Sequence, residues 1–356
     1  MRTIRDLLDR TIEKGASDLH IEAGNPPILR LHGSLVPEGS DRLRPEETQA
    51  LVQELCPERY WKELQEVGGG DFAVSFDERA RFRVSVFRER GHLGASLRLL
   101  PSRFFTFEEI GLPGSIREFL TRPRGLVLVT GPTGSGKTTT LATMIDWINE
   151  NDDRHIVTIE DPIEYHHRSK KSLVTQREVG TDVPTFSEAM RRVLRMDPDV
   201  ILLGEMRDLA TISAAITAAE TGHLVFGTLH TTGASRTVDR IVDVYPPDQQ
   251  EQIRTMLSVS LLAVVSQVLL PRADGKGRVA AFEVMVMTPA IENHIRKNES
   301  FKILSAIQTG KRLGMSLLDE HLFELGRRGV VSREEALAFA TLPNELAARL
   351  GAPLPA

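Results

Sequence analysis

"GLVLVTGPTGSGKTTT", Gly125–Thr140, decides how this chain is read. A short apolar run leads into a glycine-punctuated turn, and the helical pattern "LATMIDWIN" follows. The turn fits G-x-x-x-x-G-K-[ST] through Gly131, Gly136, Lys137 and Thr138. Glycines let backbone N–H groups turn inward around phosphate oxygens, and a helix N-terminus adds a favourable dipole. Pro132, Thr133, Gly134, Ser135, Gly136, Lys137, Thr138 and Thr139 are therefore the candidate phosphate-binding residues. Lys137 is placed to reach the β- and γ-phosphates, and Thr138 to hold Mg²⁺.

Working outward, the apolar runs "HIVTIED", "VILLGEM" and "HLVFGTLHT" alternate with helical segments. Such runs are typical of buried parallel strands joined by crossover helices. "RVAAFEVMVM" reads as a late strand, and the chain from Ala290 reads as mostly helical. Before the phosphate loop the pattern differs. Ile4 to Glu13 has helical period, "SDLHIEA" and "PILRLHG" read as strands, and Pro45 to Leu64 reads as a helix. "DFAVSF", "RFRVSVFRER" and "LGASLRLL" form a run of three strands. The expected fold class is α/β: a small α+β domain over 1–102, a linker over 103–112, and a phosphate-loop domain over 113–356 whose part from 290 is helical.

Acidic residues follow two of the apolar runs. Glu205 comes after "VILLG", where an acid sits beside Mg²⁺ in phosphate-loop enzymes; the competing reading is a helix N-cap. Asp199 starts that strand, at the end away from the site. Glu160, Asp161 and Glu164 follow "HIVTI", on the ligand-facing side of an open sheet. Hydrolysis needs a carboxylate to orient and deprotonate water, but local pattern does not choose among the three. His223 and His230 bracket a strand. Seven steps of about 3.3 Å hold them about 23 Å apart, so they cannot share one metal. His230 lies at the ligand-facing end, as a phosphate sensor, an interface group or a capped loop histidine; His223 reads as structural.

In "RFRVSVF", alternation puts Arg81 and Arg83 on one face and Phe82, Val84 and Val86 on the core face. The arginines are either solvated or reach a neighbouring subunit's nucleotide as arginine fingers.

Bulk properties narrow the classes. The 356 residues are 41% hydrophobic, enough for a packed core. Forty-nine acids against 44 Lys and Arg give a net charge of −5, which argues against a nucleic-acid motor. A lone cysteine, Cys56, leaves no internal disulfide and no Cys-based zinc site. The opening "MRTIRDLLDRTIEKG" lacks a signal-peptide core, and "MLSVSLLAVVSQVLL" from Met256 is too short and too polar to span a membrane.

These motifs, in this order, resemble the secretion ATPase superfamily, and most of all its type IV pilus retraction (PilT-like) branch. The resemblance runs from about Leu7 to Leu325, through "GASDLHIEAGNPPILRLHG", the phosphate loop, "HIVTIEDPIEY", "LRMDPDVILLGEMRD" and "TAAETGHLVFGTLHT". It implies a PAS-like N-terminal domain joined to a RecA-like ATPase domain. It also implies a homo-hexamer that hydrolyses ATP with Mg²⁺, driving pilus retraction against an inner-membrane platform protein at the cytoplasmic face. By position, Glu164 matches the catalytic glutamate, Glu205 the acid beside magnesium and His230 the residue near the γ-phosphate. Arg81 and Arg83 fall where the family contributes arginines to nucleotide contacts. The family's Ala-Ile-Arg-Asn-Leu-Ile-Arg-Glu signature is altered here to "AIENHIRK", Ala290–Lys297, and in the family that segment is tied to retraction rather than hydrolysis. An accessory retraction paralogue (PilU-like) and a nucleotide-binding regulator of a partner motor are the alternatives.

Overall fold

The computed structural model describes residues 3–31, 33–77, 80–100 and 103–351. The chain divides into two compact units: Met1–Arg103 with Pro162–His166, and Phe104–Asp161 with His167–Ala356. The expected boundary at Ser102, and His32 of the second expected strand, lie outside the described residues.

The first unit contains α1 (Ile4–Glu13), β1 (Asp18–Ile21), β2 (Ile28–Leu31), β3 (Ser34–Pro37), α2 (Pro45–Leu55), α3 (Glu58–Val67), β4 (Gly69–Phe76), β5 (Ala80–Glu89) and β6 (His92–Leu99). Among the described residues its strands form one antiparallel sheet in the order β3-β2-β1-β6-β5-β4. Thr3 and Asp6 close α1 with a reciprocal capping box. The helices bury Leu7, Leu51, Val52 and Leu64 in one cluster with Leu19, Phe82, Val84 and Val86 of the sheet. The single helix expected over Pro45 to Leu64 is two helices. Pro57 lacks an N–H and biases Cys56 away from helical backbone; Cys56 is extended at φ −88°, ψ 119°, and ends α2. The edge strand β3 was not expected.

The second unit runs α4 (Phe107–Ile110), α5 (Arg117–Leu120), β7 (Gly125–Thr130), α6 (Lys137–Asn151), β8 (His155–Glu160), β9 (Leu173–Glu178), α7 (Phe186–Val193), β10 (Val200–Leu203), α8 (Leu209–Glu220) and β11 (Leu224–Leu229). It continues through α9 (Ala234–Asp243), α10 (Gln250–Ser260), β12 (Leu261–Pro271) and β13 (Arg278–Val286) to α11 (Pro289–Arg296), α12 (Ile303–Thr309), α13 (Leu318–Arg327), α14 (Arg333–Ala338) and α15 (Pro343–Leu350). Among the described residues the sheet order is β13-β12-β7-β11-β10-β8-β9. The strands from β12 to β9 are parallel, and β13 is antiparallel to β12. β7, β8, β10 and β11 are buried along nearly their whole length, as continuous apolar runs require of a covered parallel sheet. The carboxyl ends of these strands share one edge, where open α/β sheets bind ligands.

Two strands of this sheet carry weak signals. β9, "LVTQRE", is polar from Thr175 to its end and lies at the sheet edge. β12 follows α10 with no loop between them. Ser258 Oγ and Ser260 Oγ donate to the carbonyls of Thr255 and Met256, and Leu261 then turns extended. No glycine or proline marks that change of period.

Candidate active site

The phosphate loop is shaped by its surroundings. Gly131, Gly134 and Gly136 take φ of 145°, 78° and 88°, values L side chains rarely adopt. Gly131 N–H donates to Leu229 O at the end of β11, and Ser135 N–H to Pro132 O, closing a turn. The fifteen-residue helix α6 begins at Lys137, and its first-turn N–H groups have no acceptor inside the helix. Lys137 Nζ donates to Gly131 O at 2.8 Å and Pro132 O at 3.1 Å, so its ammonium spans the loop. Burial pushes Lys137 down from its usual range, while the charge of Glu205 works in the opposite direction. The phosphate loop follows β7 and Glu205 follows β10, and β11 lies between these parallel strands, so both groups lie at the same edge of the sheet.

Glu205 is held by the two strands beside it. Gly204 N–H donates to Ile159 O at 2.8 Å, Thr228 Oγ1 donates to Gly204 O at 2.6 Å, and Met206 N–H donates to Thr228 O at 3.0 Å. The segment after β10 is thus clamped between β8 and β11. The side chain of Glu205 accepts from His230 Nε2–H at 2.7 Å and from Arg207 Nε–H. Burial alone would raise its carboxyl; Arg207 and His230 outweigh burial and hold it below the usual carboxylate range. Glu205 is therefore a charged acceptor and not a cap: the N-cap of α8 is Asp208, which accepts from Thr211 N–H at 2.8 Å.

The remaining acids and histidines separate by role. Glu160 is 8% exposed and accepts from Thr158 Oγ1 at 2.6 Å and Gln176 Nε2 at 3.0 Å, within the sheet. The charge of Asp161 bears on Arg207. Asp199 accepts from His155 N–H at 2.8 Å at the far end of the strands. His223 donates through Nδ1 to Ala218 O at 3.0 Å and closes the end of α8.

Glu164 lies in Pro162–His166, the five residues that belong to the first unit. There Arg81 Nη1 donates to Ile163 O at 2.7 Å, and Arg83 Nη1 lies 4.0 Å from Glu164 Oε1. Ile163 and Tyr165 are buried on either side of the acid. Phe82, Val84 and Val86 are buried beneath the arginine face, as alternation requires. Thus Lys137, Glu205 and His230 come together within the second unit, and Arg81, Arg83 and Glu164 within the first.

Two residues of this edge escaped sequence reasoning. Arg207 was legible only as part of "GEMRD". Gln267 sits within the apolar run of β12, 1% exposed, and its Nε2–H donates to Ser135 O at 2.6 Å. In "AIENHIRK", Ile291 and Ile295 face the core, while Glu292 lies 3.5 Å from Arg296 and His294 lies 3.4 Å from Glu299. The altered positions Glu292, His294 and Lys297 avoid the buried face of α11.

A parallel sheet with a glycine-rich loop at a central strand, and an acid–histidine pair at neighbouring strand ends, defines an α/β protein of the phosphate-loop class. The family model described as type II/IV secretion system protein matches residues 1–334, and the chain belongs to that family. It is 50% identical over 341 residues to the "Type IV pilus retractation ATPase PilT" of Pseudomonas aeruginosa, covering 96% of this chain and 99% of the relative. The "Type IV pilus ATPase PilU" of the same organism is 40% identical, over 96% and 89%. Among solved structures, a crystal structure of the pilus retraction motor PilT with bound ADP superposes with a TM-score of 0.91 at 46% identity. It covers 98% of this chain and 100% of that one.

Proposed function

We propose that the protein is a hexameric, Mg²⁺-dependent ATPase that powers type IV pilus retraction. The observation that carries this reading is the Glu205–His230 pair beside the Lys137 loop, at the carboxyl ends of adjoining parallel strands. Support for the pilus role comes from the 50% identity to the retraction ATPase, against 40% to the PilU protein at similar coverage. That difference favours the main motor over the accessory reading. We also propose PAS-like and RecA-like folds for the two units, with boundaries at 1–102, 103–112 and 113–356. The antiparallel and parallel sheets support the two folds, while Pro162–His166 within the last range group with the first unit. No helix among the described residues is long and apolar enough to cross a membrane, which fits a cytoplasmic motor docked on an inner-membrane platform protein.

The donor set fits the ligands. Thr138 and the charged Glu205 offer hard oxygen ligands of the kind Mg²⁺ prefers. When bound, Mg²⁺ would neutralise charge developing on the phosphates. Residues 132–139 would cradle the nucleotide with backbone N–H groups and the α6 dipole. Lys137 would leave the loop carbonyls for phosphate oxygens, and His230 would donate toward the γ-phosphate. Glu164 would accept the proton of the attacking water. Arg81 and Arg83 remain the candidates for contacts to a neighbouring subunit's nucleotide.

Phosphate release by the purified protein with Mg-ATP tests the ATPase. Deleting the gene in its host tests the role: loss of twitching with retained or excess pili means retraction, and loss of pili means extension.

A further inference from the structure

We propose that the β12–β13 hairpin positions both walls of the nucleotide site: Gln267 sets the phosphate loop, and Ser266 with Glu283 sets the loop that follows His230. This rests on the nucleotide-site reading above and names residues that reading does not use.

Gln267 is a polar side chain in an otherwise apolar strand. Its Oε1 is buried and has no hydrogen-bond partner among the described residues, so the amide is only half satisfied, at a real cost. Its Nε2 holds the carbonyl of Ser135. In a trans peptide the C=O and the following N–H point in opposite directions. Drawing Ser135 O toward Gln267 therefore aims Gly136 N–H away from Gln267, toward the inside of the loop where phosphates bind. The packing is tight on this side: a Cβ on Gly131 would lie 2.2 Å from Gln267 O, and one on Gly136 would lie 3.3 Å from Gln267 Nε2.

Alternation sends the neighbouring Ser266 to the other face of β12. Its Oγ accepts from Gly233 N–H at 2.9 Å. Glu283, paired with Ser266 across the hairpin, accepts from Ala234 N–H at 2.8 Å. Together they pin the end of the segment that begins at His230. Glu283 also accepts from the Leu318 backbone, and Phe282 N–H donates to His321 Nδ1 at 3.0 Å. The same hairpin thereby ties the site edge to α13.

The test uses the full chain in three forms: wild type, Gln267→Leu (with Gln267→Met as the second choice), and Ser266→Ala/Glu283→Gln. A fluorescent ADP analogue reports affinity, phosphate release reports kcat and KM, and amide hydrogen exchange reports the 230–233 segment. Gln267→Leu should weaken ADP binding by about tenfold, with melting nearly unchanged, because one buried hydrogen bond to the loop is lost. The double variant should bind ADP within about threefold of wild type, lose roughly tenfold in kcat, and exchange faster over 230–233. Wild-type affinity in both Gln267 variants, or unchanged exchange over 230–233 in the double variant, overturns the proposal. If the wild type releases no phosphate, the ATPase reading falls, and the ADP and exchange arms still decide this one.

Discussion

Strands β7 and β8 run parallel in one sheet, both are buried along nearly their whole length, and both end in a segment that carries candidate chemistry. The loop after β7 stays in its own unit and is built by backbone: glycine dihedrals, a helix start and the carbonyls that hold Lys137. The corner after β8 leaves its unit at Asp161 and returns at His167, and its five intervening residues pack with the antiparallel unit. A site made from backbone is legible wherever its motif appears. A site made from a carboxylate depends on which body holds the backbone beside it, and local pattern carries no record of that.

Substitutions in the two segments should differ in their effects. Lys137→Ala should have the largest effect, reducing turnover on the order of a thousandfold and weakening ADP binding, since it removes the charge that spans the loop. Glu164→Gln should reduce turnover by roughly a hundredfold while nucleotide affinity stays near wild type. Near-normal phosphate release by that variant would remove the corner after β8 from the chemistry. Arg81→Ala should destabilise the first unit by about 1–3 kcal/mol, because a buried carbonyl loses its charged donor. Urea unfolding followed in that unit measures the loss. Mixing this variant with Lys137→Ala subunits separates the roles: partial recovery of turnover points to action on a neighbour, and none points to the contact with Ile163.

The smallest effect concerns pH. Burial pushes the carboxyl of Glu283 up, against backbone donors from Ala234 and Leu318. A raised folded-state pKa means that the folded chain binds this proton more tightly than the unfolded one. The group's contribution is therefore most favourable at low pH and declines as pH rises from the ordinary carboxylate range through the raised value. Glu283→Gln should flatten that part of the stability profile, and urea midpoints across the acidic to neutral range would show it.

Much of the architecture was legible because burial on both faces leaves a plain mark. Leu126–Val129 and Val200–Leu203 are uninterrupted apolar runs between helical segments, and both are central strands. Other features left weaker marks. Pro57 stops one helix and lets another begin at once, so a single period ran across two elements. Leu261 changes from helix to strand amid residues that suit either. Gln267 resembles any polar interruption of an apolar run until the strand register sets it beside Ser135. Arg207 could be seen in its motif, but its contact with Glu205 depends on a turn after β10 clamped by two other strands.

Gly131 bears on any attempt to transplant this loop. Its place in the motif suggests a contract with the phosphate alone, yet the space a methyl group would need is already filled by the backbone oxygen of a strand far along the chain. A designer who grafts Gly131–Thr138 onto another sheet must therefore bring a neighbouring strand of matching closeness, or the borrowed loop will be free to relax out of shape.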